Sequence, residues 1–129
     1  MTAEAKAVRT LIVDDNPINS ELAAYVLEAA GFAVECVADA TEALQRLESN
    51  RPDLMLLDIQ LPGMDGMALA RALKDDPATR DITIVAFTAY AMKGDEARVR
   101  AAGCDGYISK PINVATFAEQ VRANLRESS

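Results

Sequence analysis

Four of the five short apolar runs in this chain end at side chains suited to phosphate or metal chemistry. Asp14 and Asp15 follow the first run, Asp58 follows the third, Thr88 the fourth and Lys110 the fifth. If the runs are parallel strands of one sheet, their carboxyl ends meet along one edge, where open α/β sheets bind ligands. Three carboxylates, one hydroxyl and one ammonium would then share a pocket. This combination suits a divalent cation together with a transferred phosphoryl group.

Taken one at a time, these residues have simpler structural explanations. An acidic pair ahead of a helix commonly caps it, and a lysine before a proline is commonly a surface residue at a helix start. Carboxylates that lie close together, however, repel each other unless a cation or a proton compensates them. A small set of oxygen ligands favours Mg²⁺, which keeps several waters and accepts phosphate oxygens. We therefore predict a Mg²⁺ site, which Mn²⁺ could also occupy, open toward a phosphate.

Helical patterns alternate with the apolar runs, which predicts βαβ units and a parallel sheet. We count five strands and five helices in strict alternation. The third and fourth runs are the most continuously apolar, as expected for central strands buried on both faces. The second run, Ala33–Val37, is the most mixed and is placed at an edge. Right-handed crossovers then favour an α/β, flavodoxin-like, doubly wound (βα)5 fold with strand order 2-1-3-4-5.

The first and fourth helices carry the most specific expectations. Asn16 can cap the first helix, and Pro17 occupies its first turn. We expect the buried face of this helix to be an apolar stripe at helical spacing, made of Ile18, Leu22, Tyr25, Val26 and Ala29. The fourth helix, over about residues 92–102, is rich in charge and has few large apolar side chains. We expect it to be the least stable helix and a moving element.

Length and composition indicate one acidic domain. The 129 residues divide into a loose lead-in at 1–8, a domain at 9–126 and a tail at 127–129. A formal net charge of −7 argues against nucleic acid or an anionic membrane as partners. Apolar runs are too short to span a membrane, and the N-terminus has no signal core. With no histidine and only Cys36 and Cys104, a Cys/His zinc site is excluded, and reduced thiols predict a cytoplasmic protein.

Together these segments resemble the receiver domain of two-component response regulators, the CheY-like superfamily. The resemblance is carried by LIVDDN at 11–16, LLDIQLPGMDG at 56–66, FTA at 87–89 and SKP at 109–111. It extends over about residues 10–125. The stretches AMKGDE at 91–96 and GCDGYISKPI at 103–112 are further similar to single-domain cell-division receivers of the DivK type.

The resemblance implies a phosphoacceptor site with a bound metal. Asp58 would accept a phosphoryl group from a histidine kinase or a histidine phosphotransfer protein. Asp15 would hold Mg²⁺ directly, Asp14 would assist through water, and Asp58 with the carbonyl of Gln60 would complete the protein ligands. Such a protein is not an enzyme acting on other substrates, since it catalyses only its own phosphorylation and dephosphorylation.

The resemblance also implies a switch. Lys110 and Thr88 would contact the phosphoryl oxygens, and Thr88 with Tyr107 would act as the switch pair. The output would be a downstream protein target bound through the surface of the fourth helix, fifth strand and fifth helix. The bulky Tyr90, two residues after Thr88, predicts slow self-dephosphorylation, which Tyr90→Glu should accelerate. The Lys110-Pro111 bond could be cis, which would aim the lysine across the pocket.

Three alternatives remain open at this point. The chain could be a receiver excised from a hybrid histidine kinase or another multidomain regulator. A small Mg²⁺-dependent phosphatase would need an acid/base next to its nucleophile, but Ile59 and Gln60 follow Asp58. A flavodoxin-like cofactor binder would need a Gly/Ser/Thr-rich loop after the first strand, where Asp14 and Asp15 stand instead.

Overall fold

The structure, a computed structural model, describes residues 8–61, 64–88, 95–110 and 112–128. In chain order the strands and helices are β1 (Arg9–Val13), α1 (Pro17–Ala29), β2 (Ala33–Val37), α2 (Ala40–Ser49), β3 (Leu54–Leu57), β4 (Gln60–Leu61), β5 (Met64–Asp65), α3 (Gly66–Asp75), β6 (Thr83–Thr88), α4 (Asp95–Ala101), β7 (Gly106–Ser109) and α5 (Phe117–Ser128).

Five parallel strands form the central sheet, in the order β2-β1-β3-β6-β7. β4 and β5 are a separate two-residue antiparallel pair, so β6 and β7 are the fourth and fifth strands of the sequence-based count. The predicted flavodoxin-like order 2-1-3-4-5 is therefore confirmed. Every residue of β3 and β6 is buried, whereas the edge strand β2 has mixed burial, as their apolar content predicts.

The pleat of the strands sends alternate side chains to two separate cores. On one face, β-strand residues pack against α2, α3 and α4; the fully buried members include Leu11, Val13, Met55, Leu57, Leu69 and Ile84. On the other face they pack against α1 and α5; the fully buried members include Ile12, Leu27, Leu54, Leu56, Phe87 and Phe117. Because both faces of the described sheet are buried, its strand ends are where its residues meet the surface.

The predicted buried face of α1 is wrong, although its start is correct. The side chain of Asn16 caps the helix by accepting from the backbone N–H groups of residues 18 and 19, and Pro17 is its first residue. The buried residues, however, are Ser20, Ala23, Val26 and Leu27. Of the predicted stripe, Ile18 is 75%, Leu22 43% and Tyr25 73% exposed, and only Val26 is buried.

Close packing explains this reversal. The two smallest residues of the buried face, Ser20 and Ala23, let α1 approach the sheet closely, and Leu27 then fills the space between helix and strands. A stripe of larger side chains on the opposite side of the helix has an equally helical period. Periodicity alone does not say which of two stripes meets the core.

α4 is described from Asp95, so residues 92–94 of the predicted fourth helix lie outside the described part. Val99 is buried in the core on its side of the sheet, and Ala102, the residue after the helix, is also buried. In the part of the chain that the structure describes, no helix combines the length and the hydropathy needed to cross a bilayer.

Candidate functional site

Backbone hydrogen bonds extend the sheet one residue beyond three strands and so fix the site residues. The N–H of Asp14 donates to the carbonyl of Val37 at 3.1 Å, and that of Asp58 donates to Val13 at 2.9 Å. The N–H of Lys110 donates to the carbonyl of Thr88 at 2.8 Å. The residues after parallel strands are thus held at one edge of the sheet, where the sequence predicts the site.

The structure brings the three predicted carboxylates together. One oxygen from each of Asp14, Asp15 and Asp58 lies within 4.8 Å of the other two. Asp14 and Asp58 are 3% and 7% exposed, whereas Asp15 is exposed. Two buried acids with one at the surface leave the cluster accessible from one side.

Lys110 supplies a positive charge inside this cluster. Its Nζ lies 2.5 Å from Oδ2 of Asp14 and 3.4 Å from Oδ2 of Asp58, and its side chain is only 9% exposed. Three carboxylates and one ammonium leave two negative charges, which a divalent cation would neutralise. An all-oxygen donor set of this size fits Mg²⁺, which takes one or two carboxylates and keeps waters for a phosphate.

Asp14 also organises the start of α1. Its Oδ1 accepts from the N–H of Asn16 at 2.9 Å, while Oδ2 faces Lys110. The hydroxyl of Ser20 donates to the carbonyl of Asp14 at 3.4 Å. Asp14 therefore also has the structural role expected of an acid ahead of a helix. The same residue belongs to the carboxylate cluster and stabilises the start of α1.

Thr88 and Tyr107 lie on the neighbouring strands β6 and β7. Thr88, the last residue of β6, is 2% exposed. Tyr107 pairs with Ala86 across the strands, is half-buried and packs against the core on the α2–α3–α4 side. Gln60 lies in β4 opposite Asp65. The structure thus places these residues near the strand ends, but their functional roles remain predictions.

Several sequence-based expectations fall on residues outside the described part. These are Ala89 of the FTA motif, Tyr90 with its predicted effect on self-dephosphorylation, and the isomer of the bond to Pro111. The lead-in at 1–7 lies outside it too.

Gly66 has a structural role that the sequence interpretation missed. A Cβ at this position would stand 2.3 Å from the carbonyl oxygen of Asp58, and the N–H of Gly66 donates to the carbonyl of Ile59 at 2.8 Å. Only glycine lets α3 begin this close to the backbone of Asp58. In the sequence Gly66 is recognisable only as the last residue of the LLDIQLPGMDG motif, because a glycine before a helix carries no sign of what approaches it.

A cleft of about 390 Å³ opens beside Asp14 and Asp15, between the starts of α1 and α2. Cys36 is one of its lining residues, and its Sγ is 3.8 Å from the carbonyl of Ser20. Burial, followed by the nearby acids Glu28 and Glu21, raises the pKa of the Cys36 thiol. At neutral pH this group is a neutral thiol, so it adds no negative charge to the site.

Residues 10–122 match the model of the response regulator receiver domain. The chain belongs to this family. Two curated relatives are polar-differentiation response regulators DivK. That of Brucella anthropi is 44% identical over 118 residues, 92% of this chain and 96% of the relative, and that of Brucella ovis is 43% identical with the same coverage. The match spans nearly the whole of each relative, so this chain is a response regulator receiver domain closely related to DivK.

Solved receiver structures agree with this assignment. The chemotaxis response regulator CheY4 of Vibrio cholerae is 25% identical with a TM-score of 0.85, covering 92% of this chain and 98% of that one. The receiver domain of a Pseudomonas aeruginosa sensor histidine kinase is 31% identical with a TM-score of 0.82, covering 93% and 98%, and was solved with magnesium in its active-site cleft. The receiver is a signalling domain, which decides against the phosphatase and the flavodoxin-like cofactor binder.

Proposed function

We propose that Asp58 of this receiver, within a domain at residues 9–126, accepts a phosphoryl group from the phosphohistidine of a histidine kinase or histidine phosphotransfer protein. The observation that carries the proposal is the cluster of three carboxylate oxygens within 4.8 Å, with the ammonium of Lys110 inside it. In the transfer, a carboxylate oxygen of Asp58 forms a bond to phosphorus. The bond from phosphorus to the histidine nitrogen breaks, and its electron pair returns to the imidazole.

The acid cluster would hold Mg²⁺, or Mn²⁺ in its place. Asp15 would bind it directly, Asp14 through water, and Asp58 and the carbonyl of Gln60 would complete the protein ligands. The ion would supply positive charge to the phosphoryl oxygens. The buried carboxylate of Asp14 and the exposed one of Asp15 support this division, because only the outer residue is open to solvent.

Lys110 and Thr88 would bind the transferred group. Phosphorylation replaces the single charge of Asp58 by about −1.5 to −2, with new acceptor oxygens. The Nζ of Lys110 is already 3.4 Å from Asp58, so a small movement brings it onto a phosphoryl oxygen. Thr88 is the last residue of the adjacent strand, and its carbonyl accepts a hydrogen bond from the backbone N–H of Lys110. The two residues can therefore respond together to phosphorylation.

The response would reach partners through the face formed by α4, β7 and α5. Tyr107 on β7 is the proposed switch aromatic together with Thr88, and it packs against the core beside α4. A new contact made only in the phosphorylated state shifts the two-state equilibrium of this face. The target would be another protein in the cytoplasm, with neither nucleic acid nor membrane involved.

Incubation with Mg²⁺ and acetyl phosphate, followed by intact-mass measurement, tests this function. The wild-type chain should gain the mass of one phosphoryl group, and Asp58→Asn should gain none. Asp53→Asn is the matched control, because Asp53 lies at the opposite end of the same strand and should not affect the gain. An Asp58→Asn protein that still gains the group, or a wild-type protein that never does, would contradict the proposal.

A further inference from the structure

An aromatic ring lies directly beneath the ammonium of Lys110. The Nζ of Lys110 is 5.0 Å from the ring centroid of Phe87, which is 1% exposed. A second ring, that of Phe117, packs behind it, with centroids 5.7 Å apart and planes at 33°. Phe117 is the first residue of α5 and is fully buried. The two rings thus form a platform, Phe87 and Phe117, that continues from the site into the core.

This geometry is that of a cation–π contact. A lysine ammonium within about 6 Å of a ring centroid is attracted by the negative face of the ring, and the attraction is stronger where water is excluded. The side chain of Lys110 is only 9% exposed, so screening by water is weak here. Since a lysine has a long flexible stem, its ammonium is placed only by the groups that it contacts.

Among the described residues, three groups place this ammonium: the carboxylates of Asp14 and Asp58 and the ring of Phe87. Both carboxylates change during the proposed reaction. Asp58 would accept the phosphoryl group, and Asp14 would share its charge with the metal ion through water. The ring of Phe87 is changed neither by metal binding nor by phosphorylation. It therefore still attracts the ammonium of Lys110 when the attraction by the two carboxylates changes.

We propose that Phe87 is a positioning residue, whose ring, supported by Phe117, holds the ammonium of Lys110 at the phosphoacceptor carboxylate. This rests on the proposed function, because it concerns the lysine that would contact the phosphoryl group. It adds a contribution from the core, because the FTA motif at 87–89 supports the resemblance through Thr88, and no role was assigned to its aromatic residue.

The first test needs neither metal nor phosphodonor. A ring shifts the resonances of protons above its face, so in the wild-type protein the side-chain methylene protons of Lys110 should resonate upfield. Phe87→Leu should remove this shift. Phe32→Leu is the matched control, because it also deletes a buried ring with a cation over it, Arg122 at 5.2 Å, but away from the site. Lys110 resonances that are the same in the wild type and in Phe87→Leu would overturn the proposal.

The second test measures the rate of phosphorylation by acetyl phosphate with Mg²⁺. Phe87→Leu should be slower by about threefold to tenfold, the size expected from a partly desolvated cation–π contact. Phe32→Leu should match the wild type. Site-specific incorporation of pentafluorophenylalanine at position 87 keeps a six-membered ring but reverses its electrostatics, and it should slow the reaction as Phe87→Leu does.

These outcomes separate the two proposals. A wild-type chain that gains no phosphoryl group refutes the proposed function, whatever Phe87 does. If the wild type reacts, and the protein with pentafluorophenylalanine at position 87 reacts equally fast, the role of Phe87 is refuted and the proposed function stands. Because Phe87→Leu removes buried area, its folding is checked by circular dichroism, and the fluorinated ring provides the answer if the leucine variant does not fold.

Discussion

At the scale of single residues, buried polar groups decide where this chain is stable and where it is reactive. Asp14, Asp58 and Lys110 satisfy one another within the site. The hydroxyl of Thr10 differs, because no hydrogen-bond partner accompanies it among the described residues, although the residue is only 3% exposed. A buried hydroxyl without a partner loses its hydration and recovers nothing.

Thr10→Val should therefore raise the free energy of unfolding. The substitution replaces the hydroxyl by a methyl group of similar size, and we expect a gain of about 1 kcal/mol. Thr10→Ser is the contrasting variant: it keeps the hydroxyl, removes the methyl group and should destabilise the protein. Urea unfolding of the three proteins measures both changes. A loss of stability in Thr10→Val would show that the hydroxyl is hydrogen-bonded in solution.

The buried thiol of Cys104 should make stability depend on alkaline pH. Burial, followed by the neighbouring carboxylate of Asp105, raises its pKa from 9.0 to about 11. Between these values the unfolded thiol loses its proton while the folded thiol keeps it, so the contribution is fully present below pH 9.0 and is lost as pH rises toward 11.

In Cys104→Ala the free energy of unfolding should consequently fall less steeply between pH 9.0 and pH 11 than in the wild type. The difference between the wild type and the variant should shrink by about 2 kcal/mol from pH 9 to pH 11. Urea unfolding at several pH values measures it, and Cys36→Ala, at the more exposed thiol, provides the comparison. Parallel pH profiles for the wild type and Cys104→Ala would contradict the assignment.

At the scale of secondary-structure elements, one lysine ties three of them together at the end of the sheet opposite the site. The Nζ of Lys74 on α3 donates to the carbonyls of Arg80 and Ile82, at 3.1 and 2.8 Å, and lies 2.8 Å from Oδ2 of Asp105. The same oxygen accepts from the N–H of Ile84 on β6 at 2.9 Å, and Asp105 immediately precedes β7.

Lys74→Met should thus destabilise the fold more than a surface ion pair would. It leaves the partly buried carboxylate of Asp105 without its ion-pair partner and two carbonyls without the lysine donor, and we expect a loss of about 2–3 kcal/mol. The control is Arg46→Met, because the Arg46–Glu35 pair at 3.1 Å is 49% and 43% exposed and should contribute less than about 1 kcal/mol. Urea unfolding measures the free energy of unfolding of both variants. Equal losses would contradict a stabilising role of Lys74 beyond that of a surface ion pair.

At the scale of the whole molecule, the acid cluster links metal binding to stability. Three acids that follow β1 and β3 repel each other in the folded state, and Lys110 offsets part of this repulsion. A divalent cation bound only by the folded protein should raise the melting temperature in a concentration-dependent way.

Asp15→Ala tests this linkage. Removing one of the acids should slightly stabilise the metal-free protein, by less than about 1 kcal/mol because Asp15 is exposed and its charge is screened. It should also abolish the Mg²⁺-induced rise in melting temperature, measured by calorimetry. Asp39→Ala, at the cap of α2, is the control that should retain the rise. A destabilised Asp15→Ala protein that still responds to Mg²⁺ would argue against the cluster as the metal site.

Local sequence determined the strands of the central sheet and the residues at their ends, and the rule of right-handed crossovers gave their order. Each apolar run and the polar residue after it are neighbours in the chain, so Asp14, Asp58, Thr88 and Lys110 can be assigned to one edge once the runs are taken as parallel strands. The cap of α1 at Asn16 is equally local, and both expectations are confirmed.

Tertiary structure decided the contacts between distant segments. Lys110 meets Asp14 across 96 positions of the chain, and it rests on a ring from another strand. The face that α1 buries was also decided by packing, since Ser20 and Ala23 fit the sheet while Ile18 and Tyr25 face solvent. Periodicity shows that a helix has two faces but not which of them is buried. The buried face of α1 and the position of the Lys110 ammonium both depend on the shape and charge of neighbours far away in sequence.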